Sequence, residues 1–333
     1  MAQHILVGTT KGAFILDAPD WRVRGPFCGG SNINHVIGDG HSIWAAGGGG
    51  WYPVGVWRSD DGGETWAVST QGFEPDLVNL WSLNHTGETL YAGTKPAALY
   101  ASQDRGDTWA HVQGLTDHPT RPDWQPGNAG LILHSIVSDG PRVWVGISAV
   151  GTFASEDGGA TWDHRARLTN AAAHDHGDDH DVGICVHNIV RAGGDLLYQQ
   201  NHHGVFRSAD AGHNWTDITH GLPSTFGFPI GVNPDDQQMI WTFPLNGDST
   251  GRYPVDARAA VWRSVDGGAT WQGFDTGLPQ PAYFTVLRQA MATDAQGVYF
   301  GTNTGSVFAS HDAGESWAEV AKHLPCVLSV EVI

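Results

Sequence analysis

Eight of the eighteen histidines fall between residues 164 and 213, so imidazole is concentrated in one stretch of the chain. His134 and His187 each stand 28 residues before a tryptophan, Trp162 and Trp215, that ends the same repeated phrase. His202 and His203 close the run Gln199, Gln200, Asn201, and the loop AAAHDHGDDHDVGICVH (171–187) brings Asp181 beside them. Neutral imidazole nitrogen and carboxylate oxygen suit Zn, Mn, Ni or Fe. The expected chemistry is a divalent transition metal held by His134, His187 and His202, with His203 or Asp181 as a further ligand or as a partner behind the ligands. No compact motif such as H-E-x-x-H supports it. HDHGDDHD taken alone fits a solvated acidic insertion better, and histidines at a channel mouth also serve as hydrogen-bond partners of carbonyls or water.

Cationic and aromatic residues join this set. His187 as base, Arg288 and Tyr283 are the catalytic candidates, and Lys11, Lys95, Trp51 and Arg252 the substrate-binding ones. A guanidinium beside the histidines would hold a carboxylate or phosphate; each cation could equally pair with one of the 35 acidic side chains. Trp51, Tyr52 and Trp124 could form a sugar-stacking rim, or anchor wide loops. Tyr253 lies next to Arg252 in the long insertion 244–260.

Six near-copies of one octapeptide must position these residues: SDDGGETW (59–66), SQDRGDTW (102–109), SEDGGATW (155–162), SADAGHNW (208–215), SVDGGATW (264–271) and SHDAGESW (310–317). Their tryptophans are 43, 53, 53, 56 and 46 residues apart, the length of about four short strands with their loops. Asp accepting backbone N–H groups and Gly supplying positive φ make each phrase a turn. Ahead of each lie strand patterns such as LILHSIVSD (131–139), RVWVGIS (142–148) and FTVLRQAM (284–291). HILVGTT and GAFILD (4–17), with a degenerate turn ending at Trp21, lack an inner strand that CVLSVEVI (326–333) would supply. The expectation is an all-β, seven-bladed β-propeller over 1–333, one domain, closed by joining both chain ends in one blade; six blades is the alternative. An equal offset of 28 residues puts Trp81, His134 and His187 at equal height around the channel, with Asn34 or His35 at a comparable level.

The octapeptide S-x-D-x-G-x-[TNS]-W resembles the Asp-box, or BNR repeat, of sialidase-like propellers, and the chain is similar to stand-alone bacterial proteins labelled glycosyl hydrolase or exo-sialidase-like. That resemblance implies a carbohydrate substrate. The segment Trp21, Arg22, Val23, Arg24, Gly25, Pro26 does not carry the Phe/Tyr-Arg-Ile-Pro motif of true sialidases, so no sialidase residue is carried over. Photosystem-assembly and sortilin-like propellers of the same kind bind partners without catalysis.

A net charge of −18 without a basic cluster argues against nucleic acid or an anionic membrane as partner. Three cysteines, Cys28, Cys185 and Cys326, without C-x-x-C spacing, indicate reduced core thiols rather than a disulfide framework or a cysteine-based zinc site. The N-terminus enters a strand directly, and a cytoplasmic location is expected. The function expected is a metal-assisted hydrolase or lyase acting on a small polar substrate, a carbohydrate if the resemblance holds, without an organic cofactor; the alternative is a binding or scaffold propeller.

Overall fold

In SEDGGATW the Ser155 hydroxyl donates to Asp157 Oδ1 (2.8 Å) and accepts the Gly159 N–H (2.8 Å), while Asp157 accepts the N–H (2.9 Å) and hydroxyl (2.7 Å) of Thr161. The same bonds close the other five turns around Asp61, Asp104, Asp210, Asp266 and Asp312, with the Asn214 amide donating in place of a hydroxyl at Asp210. The Thr161 hydroxyl first, then its N–H, holds the Asp157 carboxyl down at about 2. Gly159 sits at φ 99°, where a Cβ would lie 2.6 Å from Val112 Cγ1, so glycine is required for both reasons. The aspartates are thus consumed by turn chemistry.

The computed structural model describes residues 3–169 and 185–333, which form seven four-stranded antiparallel sheets. The seventh sheet is the closure read from sequence: Val327–Val332 pairs with His4–Thr9, followed by Gly12–Asp17 and Arg22–Phe27. Counting that sheet as blade one, the inner strands of blades two to seven are Ile33–Gly38, Asn79–Thr86, Leu133–Asp139, Val186–Gly193, Gly227–Val232 and Met291–Thr293. Neighbouring blades are joined by apolar packing; the largest core cluster unites blades six, seven and one through Phe228, Phe243, Phe300, Tyr299 and Ile5. Indole N–H groups add directed links. Trp44, Trp144 and Trp241 each donate to the carbonyl of the fourth octapeptide residue of the following blade, Arg105, Ala211 and Ala313. Among the described residues no helix is long and apolar enough to cross a membrane.

One inner strand differs from expectation. FTVLRQAM was read as strand from residue 284, but the strand starts at Met291. Residues 282–290 instead run over the channel mouth. Gln289 Nε2 reaches the His134 carbonyl of blade four (2.9 Å), Asn188 Nδ2 of blade five reaches the Arg288 carbonyl (2.8 Å), and the Val330 N–H of blade one reaches the Gln289 carbonyl (2.8 Å). Phe284 and Val286 are buried by this crossing, which accounts for an apolar alternation that is not a strand.

Candidate functional site at the channel mouth

The inner strands share a device near their starts. Their pairing with the second strand is interrupted between Ile33 and His35, Leu80 and Ser82, Leu133 and Ser135, Val186 and Asn188, and Gly227 and Ile230. Each interruption is a bulge that leaves a residue outside the ladder: Asn34, Trp81, His134, His187 and, in blade six, Phe228 with Pro229. The equal-offset expectation for Trp81, His134 and His187 is met, and Asn34 takes the same place in blade two. His35 does something else: it accepts the Leu83 N–H of blade three at Nδ1 (2.8 Å) and works as an interblade fastener.

His134 and His187 are fully buried. His134 meets Trp81 edge-on, with ring centroids 5.9 Å apart, and neither of its ring nitrogens has a hydrogen-bond partner among the described residues. His187 bonds the Gly227 carbonyl through Nδ1 (2.6 Å), and its Nε2 has no partner among the described residues. Its ring lies 4.9 Å from that of His202 and 4.6 Å from that of Phe228. Burial, and after it the Arg288 guanidinium, pushes both imidazoles well below their ordinary pKa. They are neutral at pH 7.

His202 stands in the turn between Leu196–Asn201 and Gly204–Ser208. That turn is fixed by the His202 N–H on the Cys185 carbonyl (3.2 Å), the His203 N–H on Asn201 Oδ1 (2.7 Å), and Gln200 Nε2, which donates to the carbonyls of Asn201 and Gly204. Arg288 and Arg252 stack on the Phe228 ring, their guanidinium carbons 4.5 and 5.7 Å from its centroid. Arg252 is held by its carbonyl, which accepts the Thr285 hydroxyl (2.5 Å). Two guanidiniums and three imidazoles from blades four to seven therefore converge on one mouth of the channel.

The clustered metal-capable atoms are not all those of the expected ligands. Among the described residues, the metal-capable atoms that lie within 4.8 Å of one another belong to Cys185, His187 and His202. His134 and His203 fall outside that group: His134 neighbours Trp81, and His203 is turned so that its ring lies 6.1 Å from that of His202. Cys185 is a free, buried cysteine, as read from sequence, and its Sγ lies in that group. The overlooked signal was its position two residues before His187, which puts both side chains on one side of extended chain. Asp181 and HDHGDDHD lie outside the described residues.

Other candidates lie elsewhere. Tyr283 is exposed and packs edge-on against Tyr253 (5.2 Å) at the rim, not among the imidazoles. Lys11 and Trp51 lie in the turns between second and third strands of blades one and two, and Lys95 ends the second strand of blade three (Thr89–Lys95), on the same face but in other sectors. Lys95 Nζ donates to the Ala129 carbonyl (2.7 Å), while Trp51 projects fully into solvent. Trp124 is not part of a rim. It is buried against Phe153 with Arg121 over its ring and its indole N–H on Thr120 Oγ1 (3.0 Å), the loop-anchor alternative.

No known protein-family model matches the chain. Among curated proteins it is 21% identical over 246 residues to a xyloglucanase of Hypocrea jecorina, covering 74% of this chain and 26% of that protein. It is 22% identical over 264 residues to the photosystem II assembly lipoprotein Ycf48 of a Synechococcus strain, covering 78% and 67%. Among solved structures it superposes on the GH74 xyloglucanase of Xanthomonas campestris with a TM-score of 0.67 at 18% identity, over 97% of this chain and 53% of that one. The fold is that of these propellers. The chain spans about a quarter of the Hypocrea xyloglucanase and about half of the Xanthomonas one.

Proposed function

We propose that the protein is a carbohydrate-active hydrolase or lyase whose substrate, a glycan bearing an anionic group, docks at the channel mouth of blades four to seven. The observation that carries this is the pair Arg252 and Arg288, both stacked on Phe228 beside the buried imidazoles. Guanidiniums in a partly desolvated setting bind carboxylate or phosphate in a fixed orientation. The Tyr253–Tyr283 pair offers an aromatic surface for a sugar ring at the rim. His202, half-buried between His187 and His203, lines the same mouth. The xyloglucanase names among the relatives support a glycan as the substrate class.

A second reading is favoured by coverage. The chain matches Ycf48 over 67% of that protein, against 26% for the Hypocrea xyloglucanase, which suits a binding propeller without turnover. A panel of neutral and uronate-containing oligosaccharides, xyloglucan included, decides between the two. Release of new reducing or unsaturated ends supports the enzyme; saturable binding without any product selects the binding propeller.

A further inference from the structure

We infer that Cys185, His187 and His202 form a zinc-type metal site with an open coordination position facing the channel mouth. Their donor atoms already lie within 4.8 Å of one another. A tetrahedral ion with Zn–N near 2.05 Å and Zn–S near 2.3 Å needs neighbouring donors roughly 3.3–3.6 Å apart, so side-chain movements of about 1 Å complete the site.

Three independent features prepare these residues for coordination. The Gly227 carbonyl has no proton to give, so His187 must carry its proton at Nδ1; the lone pair is then left on Nε2, the buried atom without a partner among the described residues. That carbonyl contact is the outer bond that orients a ligating imidazole. Among the described residues the Cys185 thiol has one long contact, 3.8 Å to the Ser148 hydroxyl, so little is lost there when it turns to an ion. His202 belongs to a turn rather than a strand, tied to Cys185 through its own N–H, so donor and turn move as one unit.

The chemistry of the set selects the ion. One thiolate and two neutral imidazoles suit Zn over Mn or Mg, which prefer oxygen. Coordination releases the Cys185 thiol proton to solvent, one proton per ion, because both imidazoles bind in their neutral form. Three protein donors leave the fourth position for water or substrate, the arrangement of catalytic rather than structural zinc. Metal binding here stands whether or not the mouth turns over a glycan.

The test is cobalt substitution of the full chain stripped with chelator, with Co(II) alone as the probe. One equivalent should bind with visible d–d bands of a four-coordinate ion and a near-ultraviolet sulfur-to-cobalt band, and Zn should displace it. Cys185→Ser should lose the sulfur band, and His187→Ala should lose at least tenfold in affinity. His134→Ala should retain one equivalent with both bands. A wild type that takes up no ion, that binds without the sulfur band, or whose spectrum survives unchanged in Cys185→Ser overturns the site; the wild-type spectrum decides this even where a variant does not fold.

Discussion

The side-chain amide of Gln289 donates to the backbone carbonyl of His134 across the channel, 2.9 Å away and 155 residues earlier in the chain. With Asn188 on the neighbouring carbonyl of Arg288, it fastens the crossing segment to blades four and five. Arg288 is therefore positioned by blades other than its own.

Gln289→Ala and Asn188→Ala should each lower the unfolding free energy by about 1–2 kcal/mol, since each leaves a part-buried carbonyl without its donor. Both should also weaken binding of an anionic ligand by more than they weaken binding of a neutral one. Urea denaturation read beside ligand titration checks this; equal loss for both ligands would make the segment merely structural.

Burial holds the His35 imidazole down at about 4, below its ordinary 6.5, in the neutral form that accepts the Leu83 N–H. A depressed folded value means stability that is present above pH 6.5 and lost as the pH falls toward 4. His134 acts in the same direction. In metal-free protein the unfolding free energy should drop from pH 6 to pH 5, and His35→Gln should make that slope shallower by roughly 1 kcal/mol per pH unit. An unchanged slope would mean that His35 is protonated in the fold.

Within the channel, beside the crossing segment, lies a cavity of about 370 Å³, lined in part by Asn84, Asn188, Gln289 and Glu331. Desolvation pushes the Glu331 carboxyl up to about 7. A raised folded value reverses the sign: the contribution is present at pH 4 and lost as the pH rises through 7. Glu331→Gln should raise the thermal midpoint at pH 8 and leave it unchanged or lower at pH 4. Thermal scans at the two pH values check it, and no difference between them would place the carboxyl in bulk water.

Much of this fold was legible because each repeat names its own turn. Once Asp157 and its five counterparts are assigned to turns, strand count, blade count and the closing strand Val327–Val332 follow from spacing. The heights of His134 and His187 followed from the same count. What spacing did not carry was direction. A bulge decides which way each imidazole points, and it turned His187, not His134, toward His202. The segment 284–290 misled because burial against several blades imposes an apolar pattern like that of a strand. Phe228, the ring on which both arginines stack, carries no polar atom and gave no chemical signal.

The most direct test of turnover at the channel mouth is kcat/KM on the glycan panel for wild type, Arg288→Ala and His202→Ala, with folding verified by circular dichroism. Turnover by the wild type, reduced about a hundredfold or more in both variants with an unchanged spectrum, is the predicted result. Equal turnover in all three, or none by the wild type on any glycan, would contradict it.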